Sequence, residues 1–449
     1  MSKQTIKKMT LFTLTWPIFI ELLLHMFMGS ADTLMLSQYS DNSVAAVGLA
    51  NQILNMVIVM FGFIAVGTSV IIAQFLGAKQ EKEASEVVIV SITANIVFSL
   101  VLSVVLFVFA ERFLIWMNVP PELMDEALIY TKVVGGFSFL TALVMTVGAA
   151  IKSYGFTKDA MYVTIGMNIL NILGNFISIY GPFGLPVLGV EGVAISTAIS
   201  RLIGLIIITV LLFKRIEHKL PFNLLFRFHK GHLSKLLKIG VPSAGEHLAY
   251  NTSQLLIVYF ITMLGTEMLT TRVYTVNLMM FILVFASAIA QGTQILIGHK
   301  VGAGDHNGAY QLCMRSLRYS MVISLGMAAI ITLFSDSLFG IFTDNQSIIA
   351  LGGTLIMLCM LLEPGRCFNL VIISSLRAAG DVKFPVYLGI ASMFGVSVTL
   401  AYLLGIHFGL GLIGVWIAFI ADEWLRGLLM LWRWRSRVWE RMTFVKQKG

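Results

Sequence analysis

The sequence predicts an all-α polytopic membrane protein, with twelve transmembrane helices forming two parallel six-helix repeats around a central cavity. Three observations carry this reading. The first is composition: 57% of residues are hydrophobic, 12% are charged and mean hydropathy is +0.88, too little charge to cover a water-soluble surface of 449 residues. The second is the presence of about a dozen stretches that approach the roughly 20 apolar residues needed to cross a bilayer. The third is a constant step of 225 residues, half the chain, separating Pro17 from Pro242, Glu21 from Glu246, Gln52 from Asn277, Gly67-Thr68 from Gly292-Thr293, Gly77-Ala78 from Gly302-Ala303 and Gly155 from Gly380. Self-similarity at that period in a membrane chain marks a transporter whose pathway runs between the copies.

Taken in order, the first stretch, 10–36, holds Pro17, Glu21 and Asp32. It is too long and too acidic for a cleaved secretory signal and is read as helix 1. Helix 2 (47–76) carries the Gly67-Thr68 mark and is followed by Lys79 and Lys82; helices 3 (88–110) and 4 (129–151) follow, the latter leading to Lys152 and Lys158. Helix 5 (160–180) ends at an outer turn with Pro182, Gly184 and Pro186, and helix 6 (190–213) carries Arg201. Gly189–Val193 matches Gly411–Val415 at a step of 222, so the first copy has gained three residues in that turn. Helices 7 to 12 fall at 239–264, 271–298, 317–341, 348–375, 385–406 and 412–432. Six helices per copy is an even number, so both copies enter the membrane in the same orientation. The predicted organisation is an N-terminal lobe at 1–217, a cytoplasmic linker at 218–238 and a C-terminal lobe at 239–449.

The net charge of +8 is a matter of placement. Lys3, Lys7, Lys8, Lys79, Lys82, Lys152 and Lys158 lie on one side of this map. So do the linker residues Lys214, Arg215, Lys219, Arg227, Lys230, Lys235 and Lys238, with Lys300, Arg315, Arg318, Arg377 and Lys383 in the second half and a basic tail ending in Lys446 and Lys448. The alternate loops hold only Arg112, Lys132 and Arg272. The positive-inside rule then puts both termini and the linker in the cytoplasm of a multi-pass protein of the cell inner membrane, and the basic excess needs no nucleic-acid partner. Cys313, Cys359 and Cys367 show no metal-ligand spacing. Neither a metal site nor an enzyme is expected, since no nucleophile with a base and no His-Glu-x-x-His run occurs.

Ionisable side chains at bilayer depth cost about 2.5–3.5 kcal/mol each on insertion scales, so each needs a partner or a purpose. Glu363 with Arg366, and Asp422 with Arg426, stand three and four residues apart and can pair on one helical face. Pro364 distorts the helix that carries the first of these pairs. Glu21, Asp32 and Glu246 have no cationic neighbour in sequence, although His25 is one turn from Glu21. Eleven residues at roughly 100° each bring Asp32 to within about 20° of the face of Glu21, so both can line one side of helix 1. Asp32 is the strongest candidate, because its counterpart at the constant step is the apolar Ile257 and duplication alone does not demand an acid there. Such a carboxylate can exchange a proton, or bind sodium together with neighbouring oxygens.

The run Ala31-Asp32-Thr33-Leu34-Met35-Leu36-Ser37, between Pro17 and the Gly67-Thr68 and Gly77-Ala78 marks, resembles the first two helices of the multidrug and toxic compound extrusion (MATE) family. Pro242, Gly292-Thr293, Gly302-Ala303 and Arg377-Ala378-Ala379-Gly380-Asp381 repeat the family's marks, so the resemblance covers essentially the whole chain. It implies export of cationic amphipathic small molecules, by alternating access, in exchange for a transported proton or sodium ion, with no cofactor. It also implies a coupling-ion site at Asp32, with Asn171 and Asn175 on helix 5 and Thr197 on helix 6. Asn175 stands where some members carry an acid. Glu246, with Glu21, is a further candidate cavity acid, because in some members a helix 7 acid serves the coupling ion. The protein is expected to act as a monomer among membrane lipids. A flippase for lipid-linked or amphipathic cargo is the alternative; an anionic cargo would call for several cations facing the cavity.

Overall fold

The computed structural model describes residues 9–216, 221 and 230–445. Lys3, Lys7, Lys8, Lys219, Arg227, Lys446 and Lys448 of the charge pattern lie outside these residues, as does much of the predicted linker. The end of that linker, from Lys230, is already helical.

Among the described residues the secondary structure is helical throughout. The first half contains α1 (Leu11–Ser37), α2 (Asp41–Gly77), α3 (Glu81–Trp116), α4 (Pro121–Gly136), α5 (Ser138–Ser153), α6 (Thr157–Tyr180) and α7 (Gly189–Arg215). The second contains α8 (Lys230–Thr262), α9 (Thr266–Gly302), α10 (His306–Leu333), the short α11 (Ser335–Gly340), α12 (Gln346–Ala379), α13 (Lys383–His407) and α14 (Gly411–Arg435). Nine of these are long and apolar enough to cross a membrane, and α4 with α5, bent by 40°, forms a tenth span. The remaining two long helices, α8 and α14, miss that criterion because they carry polar residues at mid-helix, Glu246, Asn251 and Gln254 in one and Asp422, Glu423 and Arg426 in the other. With α8 and α14 these make twelve long helical segments, six in each of the two predicted repeats.

The helices outrun the apolar windows that located them, because their polar ends continue beyond bilayer depth. Predicted helix 4 is the bent pair α4–α5. Gly135 and Gly136 let Leu106 and Phe107 of α3 approach to 3.2 and 3.0 Å of where a Cβ would stand, and the chain turns immediately afterwards. Arg112, Lys132 and Arg272, expected in loops, sit on α3, α4 and α9. Apolar residues 97, 100, 101, 104, 107 and 108 of α3 are exposed at helical spacing, a stripe suited to lipid contact.

The chain divides into two compact units, one made of Met1–Met9 and Trp16–Gly240, the other of Thr10–Thr15 and Val241–Gly449. In the first, α2 packs on α5 and α6 along α7; in the second, α12 packs against α9, α10 and α14. The repeat is visible at its turns. Gly155 and Gly380 end corresponding helices with φ of +91° and +100°, left-handed values that favour glycine. Cys313, Cys359 and Cys367 are all buried and unbridged.

Candidate functional site

One face of α1 is buried towards both ends and exposed at His25 between them. Leu14, Ile18, Glu21, Asp32 and Leu36 are each at most 9% exposed, and their spacing of four, seven, eighteen and twenty-two residues from Leu14 returns to nearly the same angle. Two acids thus share one face of α1 with apolar residues and His25, as the angular argument from sequence expected for the acids. Their partners differ.

Glu21 accepts from Lys152 Nζ at 2.9 Å, a cation that arrives from the end of α5. Glu246 on α8 accepts in the same way from Arg377 near the end of α12. Glu21 and Glu246 stand one repeat step apart, and so do Lys152 and Arg377. The duplicated acid comes with a duplicated cation. Each pair is a bridge between helices. The constant step could have revealed the pairing, since Lys152 and Arg377 were visible as matched positions.

Asp32 has a different environment. It is 7% exposed and accepts from Asn175 Nδ2 at 2.5 Å. Asn175 also lies 3.4 Å from Asn171 Oδ1, and Asn171 Nδ2 donates to Thr197 Oγ1 at 3.1 Å. All four residues proposed from sequence therefore form one buried polar chain running from α1 across α6 to α7. Thr197 Oγ1 in turn donates to the Val193 carbonyl, and Ser196 Oγ donates to the Asn171 carbonyl. The close approach of α6 and α7 rests on Gly174, where a Cβ would stand 2.1 Å from Ser196 Oγ. Arg201 lies within electrostatic range of Asp32 and Tyr130, but among the described residues it makes no ion pair. Asn175 Oδ1 is buried without a hydrogen-bond partner. The chain thus offers carboxylate, amide and hydroxyl oxygens, hard donors suited to a small cation, and a carboxyl able to hold a proton.

The polar chain exists in the first unit alone. At the repeat step its counterparts are Ile257, Val396 and Leu400, with Phe419 matching Thr197 at the later step of 222. In exchange, the second unit encloses a cavity of about 250 Å³ lined in part by Arg272, Glu363, Arg366, Asp422, Glu423 and Arg426. Arg366 binds Glu363 at 2.8 Å, and Arg426 binds Asp422 at 2.9 Å and Glu423 at 3.0 Å. Both i,i+3 and i,i+4 pairs expected from sequence have formed, and Glu423 joins them, a residue that sequence reasoning passed over. Ser392 also donates to Asp422, just before α13 widens into the π-helical stretch Met393–Val398. Arg272 bonds only the Gln254 amide, at 3.4 Å, among the described residues.

Comparison with known proteins agrees with this architecture. The MatE family profile matches residues 17–177 and again 242–403, once per repeat and starting at the two matched prolines. An uncharacterized transporter of Bacillus subtilis, YisQ, is 58% identical over 98% of this chain and 96% of its own. A probable multidrug resistance protein NorM of Thermotoga maritima is 28% identical over 98% of this chain and 94% of its own. Among solved structures, a MATE crystal structure in the bent conformation superposes with a TM-score of 0.87 at 21% identity, covering 95% of this chain and 94% of that one, which speaks to the fold. The double profile match, the full-length relatives and the paired six-helix repeats lead to one conclusion: the chain belongs to the MatE family of membrane transporters.

Proposed function

We propose that this protein is a secondary active antiporter that exports organic cations in exchange for protons or sodium ions, with Asp32 as the seat of the coupling ion. The observation that carries the reading is the contrast among the three helix-borne acids. Glu21 and Glu246 are paired with cations, whereas among the described residues Asp32 is hydrogen-bonded only by an amide, which can stay bonded whether the carboxylate is charged, protonated or ligated. Of the three it is the one that makes no ion pair among the described residues, with Arg201 acting on it only at longer range.

An ion shifts a conformational equilibrium only through different affinities for its two states. In the proposed cycle, ion uptake at Asp32 alters how α1 seats on α6 and α7 and favours the state with weak cargo affinity. Loss of the ion favours the state that takes up cargo from the cytoplasm. Linkage makes the coupling reciprocal, and exchange follows. The second unit's cavity, with three carboxylates facing Arg366 and Arg426, supplies a polar contact surface for a cationic cargo. An anionic lipid-linked cargo would meet Arg272 as the one lining arginine without an ion pair among the described residues, short of the several free cations such a cargo calls for. The charge pattern puts both termini in the cytoplasm.

The test is ethidium export from vesicles containing the purified protein, under an imposed proton gradient and, separately, an imposed sodium gradient. Asp32→Asn is expected to abolish export under whichever gradient drives the wild type, with the unfolding temperature little changed. Wild-type export by that variant would remove Asp32 from the mechanism.

A further inference from the structure

A cluster remote from the polar chain combines donors from two helices of the first unit. Glu83 and Glu86 lie in the first two turns of α3, three residues apart and on one face, and His232 lies in the first turn of α8. One ligand atom from each falls within 4.8 Å of the other two. His232 Nε2 is 3.3 Å from Glu83 Oε2 and 3.4 Å from Glu86 Oε2. As hydrogen bonds these distances are poor, since N–H···O contacts cluster near 2.9–3.0 Å and a single ring N–H cannot serve two acceptors equally. As edges of a coordination tetrahedron they fit well. Zinc bonds of about 2.0–2.2 Å to nitrogen and oxygen place neighbouring ligands roughly 3.4 Å apart.

Burial is graded in the way a half-open metal site requires. The His232 side chain is 8% exposed and that of Glu86 14%, while that of Glu83 reaches solvent at 44%. The edge of Phe75 packs against the imidazole at 5.8 Å and fixes the ring plane. Lys235, one turn further along α8, is directed over the Phe75 ring at 4.8 Å. Two carboxylates beside an imidazole nitrogen carry negative charge that a divalent cation would cancel.

We infer that Glu83, Glu86 and His232 form a binding site for a divalent cation of the zinc type, with water completing the coordination. Bound metal would fasten the start of α8 to the start of α3. The inference is independent of the coupling ion at Asp32, since it uses other residues and another ion, and it holds or fails whatever drives transport.

Cobalt(II) is the probe, because tetrahedral cobalt absorbs visible light far more strongly than the hexa-aquo ion. Protein purified through a tag free of histidine, stripped with chelator and held in detergent, is titrated with cobalt and then with zinc. The expected result is one tetrahedral cobalt per chain, displaced by zinc, together with a higher unfolding temperature in the presence of zinc. His232→Gln and Glu86→Gln should each weaken binding by about tenfold or more. Glu83→Gln, at the most exposed position, leaves folding undisturbed and should weaken binding as well. An octahedral spectrum, or equal cobalt affinity in the wild type and all three variants, would overturn the assignment and leave the cluster as a histidine ion-paired to two glutamates.

Discussion

Glu21 and Asp32 lie on one face of one helix and yet do different work, and the difference comes from what the neighbouring helices bring to them. Lys152 turns Glu21 into half of a bridge between α1 and α5. Removing either partner strands a charge that is 12–15% exposed, so Glu21→Gln or Lys152→Met should lower stability by about 1–3 kcal/mol. The double variant Glu21→Gln/Lys152→Met should lose less than the sum of the two, and it should still transport. Chemical denaturation in detergent gives the first result and the vesicle assay the second. Additive losses would mean that the bridge contributes nothing to folding. In the sequence all three acids looked equally unaccompanied, because their cations are 131 residues away in the two cases that have one. Asp32 stood out by a subtler sign, the apolar Ile257 at its repeat position.

At the level of elements, α6 and α7 form the frame on which the polar chain is strung. Asn171 and Asn175 are one turn apart, so both amides emerge from the same face of α6. They meet Asp32 and Thr197 because the two helices approach closely at Gly174. Gly174→Ala would place a methyl group onto Ser196 Oγ, 2.1 Å away, and push the helices apart. The expected cost is about 1–3 kcal/mol from overpacking. A loss of gradient-driven export larger than the loss of folded protein should accompany it, read from transport rate per folded molecule. Wild-type export with unchanged stability would show that this approach is not needed. The membership of the chain came from the family resemblance at Asn171, Asn175 and Thr197, beside the acid at Asp32 that the sequence itself singled out. The hydrogen-bond order along it was not, because side-chain contacts between helices depend on rotation and depth that an apolar window does not contain. The bend between α4 and α5 was hidden for a related reason: an apolar run reads the same whether the backbone inside it is straight or broken.

For the whole molecule, duplication has supplied a common scaffold on which the halves have diverged in charge. The first unit keeps Asp32, a buried acid without an ion pair among the described residues, in an amide-rich setting. Where that unit has Ser138, Thr141, Ser200, Arg201 and Gly204, the second has Glu363, Arg366, Asp422, Glu423 and Arg426 around its cavity. The proposed division of labour between ion and cargo separates experimentally. Arg272→Gln removes a cation from the cavity lining, so the apparent KM for a cationic dye should fall while the dependence on the driving gradient stays as it was. A changed gradient dependence would contradict the division. The repeat and its parallel sense were readable from a constant step and an even helix count. The cavity network was readable only in part, since Glu423 has no i,i+3 or i,i+4 cation except one already assigned to Asp422. One plain feature has a further use. Because Cys313, Cys359 and Cys367 are all enclosed by packed side chains, a thiol engineered onto an exposed helix end would meet a maleimide or spin label with little competition, so labelled pairs could report distances across the transport cycle without first rebuilding the native cysteines.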